Sequence, residues 1–180
     1  MGFFGKNFKE ILTSEMVSLL GGLFVGTVLA VYADKLLLIP GMLLLLPGFL
    51  EMRGNISGSL ASRLSSGLFL DVIKINRPSR RIVSGNLLAS FFLAIVASLA
   101  LGVIGFIFNY FVSGIFYPRI IFLPLIAGII ANAVEIVLTF SATFYFFRKG
   151  YDPNNIMGPF ITTTGDISSI LSLLIAIVII

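Results

Sequence analysis

Four carboxylates, Glu15, Glu51, Glu135 and Asp166, stand in stretches of sequence that are otherwise apolar enough to lie in hydrocarbon. Asp166 is the deepest of them. From Ile156 to Asp166 is about 15 Å of helix, about half the thickness of a hydrocarbon core. An ionised carboxylate at that depth is costly unless water, a cation or a partner meets it, and acids so placed are functional by default. Such a group is either a structural aspartate bonded to a neighbouring helix or a functional acid met by water, a cation or a partner. Thr162 and Ser169 share its helix face at spacings of four and three, and Pro159 marks a kink one turn before Thr162. In an earlier apolar segment, Glu51, Asn55, Ser59, Ser62 and Ser66 share a face in the same way. Gly54, Gly58, Ala61 and Ser65 form an adjoining stripe of small residues. One stripe can line a wet path while the other admits a neighbouring helix; hydroxyl-bonded packing is the other reading of the serines.

Other chemistry has less to work with. The chain has no Cys, His or Trp, which removes the usual zinc, haem and iron–sulfur sites together with thiol and imidazole catalysis. An aspartate dyad needs a second deep aspartate on a facing helix, and Asp166 has none, so no enzyme is read here. Two readings stay open for the remaining acids. Glu15, Glu51, Glu135 and Asp166 could form a proton relay in a coupled carrier. Glu135 shares a face with Asn132 and Thr139, and either pairs with Arg53 or Arg63 or lies beside an ion route.

The groups are held by a chain of 180 residues that are 58% hydrophobic and 11% charged, with mean hydropathy +1.09, an all-α membrane protein by composition. At about 20 residues per span the pattern predicts five transmembrane helices. The first is residues 11–31, with Gly21, Gly22 and Gly26 as a close-packing face and a turn at Ala33-Asp34-Lys35. The second, residues 36–71, is kinked or broken at Pro40-Gly41 and Pro47-Gly48. Residues 71–81 read as a solvated basic loop, 83–108 as a third, scaffold span, and 109–119 as an interfacial turn with Tyr110 and Tyr117. The fourth span is residues 120–147, and the loop 150–154 feeds a fifth that runs to Ile180.

Asp152-Pro153, then Gly158-Pro159-Phe160-Ile161-Thr162-Thr163, then Asp166 four residues after the first threonine resemble the last membrane helix of the MgtE family of magnesium channels and transporters, which includes the animal solute carriers related to it. Pro47 followed by Gly54-Asn55 resembles the signature of the family's second membrane helix. The bacterial branch usually has Gln four residues after that Asn, where this chain has Ser59. Arg53-Gly54-Asn55 and Ser59-Leu60-Ala61-Ser62-Arg63-Leu64 look closer to the solute-carrier-like branch. The resemblance implies a pore lined by the second and fifth helices, with Asp166, Thr162 and Asn55 at the ion and Glu51, Gly54, Ser59, Pro159, Thr163, Ser169, Glu135 and Glu15 as lining or accessory residues. It implies transport of Mg²⁺, with Mn²⁺, Co²⁺ or Ca²⁺ as further candidates. It covers only the membrane part of the bacterial family: no sensing N domain or CBS domains are read before Met1-Gly2.

Mg²⁺ keeps several waters and is held through one or two carboxylates, so one Asp166 from each of two chains would suffice. Five helices are few to enclose a pore, which predicts a homodimer, or a heterodimer with a related single-domain chain. Lys6, Lys9, Lys74, Arg77, Arg80, Arg81, Arg148 and Lys149 group at one end of the predicted spans, against Lys35 and Arg119 at the other. Eight against two places the N-terminus in the cytoplasm and the C-terminus outside a cell membrane. These charges read as contacts with membrane lipid, not nucleic acid. No removable signal peptide is read, and Lys6 stands where a myristoylation motif after Met1-Gly2 wants Ser or Thr.

Overall fold

The computed structural model describes residues 5–180; Met1 and Gly2, read above for acylation, lie outside them. Five α-helices and one 3-10 turn account for the regular structure among the described residues: α1 Lys6–Leu37, α2 Met42–Phe69, α3 Arg80–Ser113, the 3-10 turn Pro118–Ile121, α4 Phe122–Arg148 and α5 Pro153–Ile179. The 27 residues of α5 extend about 40 Å, longer than a hydrocarbon core of about 30 Å. Four of the five helices, all but α2, are long and apolar enough to cross a membrane. The second predicted span falls short of that measure, and it is the helix that carries Glu51, Arg53 and Arg63.

Turn chemistry corrects two boundaries. The turn expected at Ala33-Asp34-Lys35 is helical, and α1 runs on to Leu37. None of those three residues breaks a helix, and Lys35 in the last turn favours the carbonyl end. The chain reverses instead at Ile39-Pro40-Gly41. Proline disfavours helix in the residue before it, and Gly41 takes the left-handed φ of 81°. A side chain at Gly41 would press on Ile120 and Asn109, so the turn is also tightly packed. The expected break within the second segment therefore falls at Pro40-Gly41, and α2 continues through Pro47.

α5 likewise continues through Pro159. Proline has no N–H, so the carbonyl of Asn155, four residues back, loses its helical donor. Ser14 of α1 offers one: its hydroxyl lies 3.1 Å from the Asn155 carbonyl and shares its proton with the Ile11 carbonyl at 2.9 Å. Hydroxyl repair of this kind is how a proline persists in a membrane helix.

Hydrogen bonds show which ends meet. Lys6 Nζ donates to the Gly150 carbonyl at 2.6 Å and Arg148 Nη2 to that of Ile75 at 3.3 Å. The start of α1, the loop after α2 and the α4–α5 connection thus gather at one end, the basic one. At the other end Arg119 Nη1 donates to the Ile180 carbonyl at 3.5 Å. α4 packs on α2, α3 and α5, whereas α1 packs mainly on α5 and only sparsely on α2. Phe49 of α2 and Leu123 and Ala127 of α4 share a core with Leu173 and Ala176 of α5. Of the predicted close-packing glycines of α1, Gly21 alone meets a neighbour, Thr163 of α5; Gly22 and Gly26 face open space.

Candidate ion site

α2 and α5 cross with small residues on both sides. Ala61 packs with Met157 and Ile161, and next to this contact a cavity of about 500 Å³ opens. α2 lines it with Pro47, Leu50, Glu51, Gly54, Asn55 and Gly58; α5 lines it with Gly158, Ile161, Thr162, Gly165 and Asp166. A side chain added at Gly54, Gly58, Gly158 or Gly165 would meet no atom of the chain within 4 Å. These glycines therefore keep space open; they are not needed for the helices to touch.

Asp166 is half-buried, and none of the hydrogen bonds or ion pairs of the described residues involves its carboxylate. Thr162, one turn before it, donates its hydroxyl proton to the Gly158 carbonyl at 3.1 Å. Its oxygen lone pairs stay available to accept from a water or to face a cation. Across the cavity Asn55 Nδ2 donates to Glu51 Oε1 at 3.1 Å, which leaves the Asn55 carbonyl oxygen and the second Glu51 oxygen as acceptors. The wall of the cavity is thus rich in oxygen and poor in donors. Among the described residues no group of three or more acidic side chains is positioned to hold a metal ion.

Several expected residues lie elsewhere. Ser59 is exposed on the outer stripe of α2 with Ser62 and Ser66. Pro159 and Thr163 are on the α1 side of α5; Thr163 Oγ1 lies 3.0 Å from Ser18 Oγ and 3.1 Å from the Pro159 carbonyl. Glu15 is exposed on α1 and lines no cavity with the other acids. The backbone acceptor freed by Pro159 is on that side too and is taken by Ser14, so it does not serve an ion at Asp166. Ser169 is fully buried behind the cavity wall.

Behind α5 stands a polar core that sequence reasoning saw only in outline. Glu135 is 1% exposed. Its Oε1 accepts from Ser168 Oγ at 3.0 Å, and it lies in electrostatic range of both Arg53 and Asp166. Arg53 is fully buried and donates from Nη1 to Asn132 Oδ1 at 3.0 Å. Arg63 Nη2 donates to Ser90 Oγ at 2.7 Å. The direct pair of Glu135 with Arg53 or Arg63 does not form, because amide and hydroxyl partners intervene; the salt bridge found among the described residues is Lys6–Glu10, at 3.6 Å. Arg53 Nε and Nη2, Glu135 Oε2, Thr139 Oγ1 and Ser169 Oγ are buried with no protein partner. Water between them is the physically available remedy for so many unpaired polar atoms. The signal for this core was in the sequence, as Asn132, Glu135 and Thr139 on one face with Arg53 and Arg63 as candidate partners; Ser90 of α3 and Ser168 of α5 were not foreseen.

A helical bundle with four bilayer-length apolar helices defines a multi-pass membrane protein. A family model named MgtE and described as a divalent cation transporter matches residues 46–176. The match spans most of the chain, from the start of the cavity-lining part of α2 almost to the end of α5, and the chain belongs to the MgtE family of divalent cation transporters. No curated protein and no solved structure matches it.

Proposed function

We propose that the chain carries Mg²⁺ through a path between α2 and α5, closed by a second copy related by a twofold axis. The observation that supports this is the meeting of Asp166, Thr162, Asn55 and Glu51 at one cavity with the Asp166 carboxylate unclaimed. A hydrated Mg²⁺ needs one or two carboxylates and acceptors for its waters. Asp166 supplies the charge; Thr162, Asn55 and Glu51 supply acceptors. Glu51, Asn55, Ser59, Ser62 and Ser66 leave a polar, exposed stripe along α2. Such a stripe is costly against lipid tails, and a second copy packed along it would shelter the stripe and bring two Asp166 residues to one axis. On this reading α2 also crosses the membrane and brings the number of spans to five, its charges and hydroxyls turned to the path and the core. The basic end lies in the cytoplasm and Ile180 outside. A related single-domain chain could take the place of the second copy. Mn²⁺, Co²⁺ and Ca²⁺ are the other divalent ions to be tried.

Mg²⁺ uptake into proteoliposomes tests this, with an Mg²⁺-sensitive dye enclosed. Asp166→Asn removes the charge and keeps the shape, and its uptake should fall at least tenfold. Uptake at the unmodified rate would sink the proposal. A second reading, a proton-coupled carrier, is favoured by one feature: Glu135 sits behind Asp166, joined to α5 through Ser168. In that case a pH gradient alone drives Mg²⁺ across the vesicle membrane; in a passive path it does not.

A further inference from the structure

A second hollow lies on the opposite face of α5. It measures about 940 Å³ and runs between α1, the end of α4 and the first half of α5. Lys6 and Lys9 stand at one end and Ser18 and Thr164 toward the other; from Lys6 to Ser18 along α1 is about 18 Å. The groove exists because α1 leans on α5 and has little contact elsewhere. α1 also carries exposed Leu12, Met16, Leu19, Leu20 and Leu23, a surface that stands in lipid, so the groove opens on lipid as well.

Its rim is cationic. The Lys9 side chain makes no hydrogen bond, ion pair or ring contact within the described residues. Lys6 Nζ lies over the Tyr151 ring, 6.0 Å from its centroid, and Lys149 Nζ over Tyr145 at 5.9 Å; both rings line the groove. The carboxylates nearby are committed. Glu10 accepts from Asn155 Nδ2 at 3.0 Å and pairs with Lys6, and Asp152 caps α5 through the Asn154 N–H at 2.9 Å. An apolar slot of this length, headed by the unspent Lys9 ammonium with Lys6 beside it at the basic end of the bundle, matches one partner: a molecule with a phosphate head and a hydrocarbon chain.

We propose that this groove binds an anionic glycerophospholipid, its phosphate at Lys9 and Lys6 and one acyl chain along Val17, Phe146 and Phe160. The inference rests on the membrane reading of the chain and not on the role of Asp166. It has a consequence for α5. Pro159, Phe160, Thr163 and Thr164 face the groove while Gly158, Ile161, Thr162 and Gly165 face the ion cavity. The width of one helix therefore separates lipid from ion path, and an acyl chain in the groove braces the wall that carries Thr162 and Asp166.

Native mass spectrometry of the detergent-purified full chain tests this by titration with phosphatidylglycerol and, separately, phosphatidylcholine. The first phosphatidylglycerol adduct should appear at about tenfold lower concentration than the phosphatidylcholine one. Lys9→Gln should weaken it about fivefold, the share of one lysine near anionic lipid. Thr13→Phe puts a ring into the groove from a residue that makes no side-chain hydrogen bond. It should abolish the first adduct with the melting temperature unchanged. Equal affinity for the two lipids, or a first adduct that survives Thr13→Phe in a folded protein, overturns the proposal. So does a second protein copy that occupies the groove and is released by Thr13→Phe.

Discussion

Replacing Arg53 by Met tests how the charges behind the ion cavity support each other. Arg53 has no exposed surface, one hydrogen bond, to Asn132, and two nitrogens without a protein partner. Glu135 is equally buried, bonded to Ser168, and outside the 4 Å of a direct ion pair. At an effective dielectric of about 20, opposite charges a little beyond ion-pair reach attract by about 3 kcal/mol. Losing the bond to Asn132 leaves a buried acceptor short and adds about 1 kcal/mol. The apolar Met recovers about 1–2 kcal/mol of that by filling the space. Arg53→Met should therefore destabilise the bundle by about 2–3 kcal/mol. Glu135→Gln keeps the Ser168 bond but leaves Arg53 as a buried charge without a counter-charge, at a cost of about 3 kcal/mol. The pair together should cost about 2–3 kcal/mol less than the sum, because neither charge is then left alone. Reversible unfolding by SDS in mixed micelles, read by circular dichroism, gives all four corners of the cycle. Single-substitution costs that add within about 0.5 kcal/mol would refute the coupling and leave Glu135 free to serve the ion route independently.

Other outcomes follow from the packing. Gly58→Leu adds a side chain where no atom of the chain lies within 4 Å and where the cavity is open; Mg²⁺ uptake should fall at least tenfold with the unfolding midpoint retained. Gly102→Ala does the opposite. Its added carbon would meet the backbone carbonyl of Ile121, an atom that cannot rotate away, so stability should drop by about 1–3 kcal/mol in the same micelle assay. Normal stability there would mean that the α3 contact with the turn before α4 is looser than described.

Apolar length alone marked four of the helices, and the spacing of Thr162 and Asp166 correctly put both on one face, because a helix converts intervals of four into neighbours whatever surrounds it. That same rule fails one step further out. Ser169 and Ser59 satisfy the spacing yet lie off the cavity, one behind its wall and one on the outer stripe. Periodicity gives a direction around a helix, while a cavity occupies only part of its length. Glu10 was passed over because it precedes the apolar run. It is nevertheless 8% exposed and ties the start of α1 to the start of α5 through Asn155.

By itself the chain's order of residues determined its solvent, its helical class and its family: hydropathy over 20 residues and a motif such as Gly158-Pro159-Phe160-Ile161-Thr162-Thr163 are local and need no partner to be read. Tertiary structure decided who meets whom. That Ser14 repairs the carbonyl freed by Pro159, that Arg53 turns to Asn132 while Glu135 turns to Ser168, and that α5 separates an oxygen-lined cavity from a lysine-headed groove all depend on the angles at which helices cross. Those angles are set by side-chain volumes on several helices at once, which no single stretch of sequence contains.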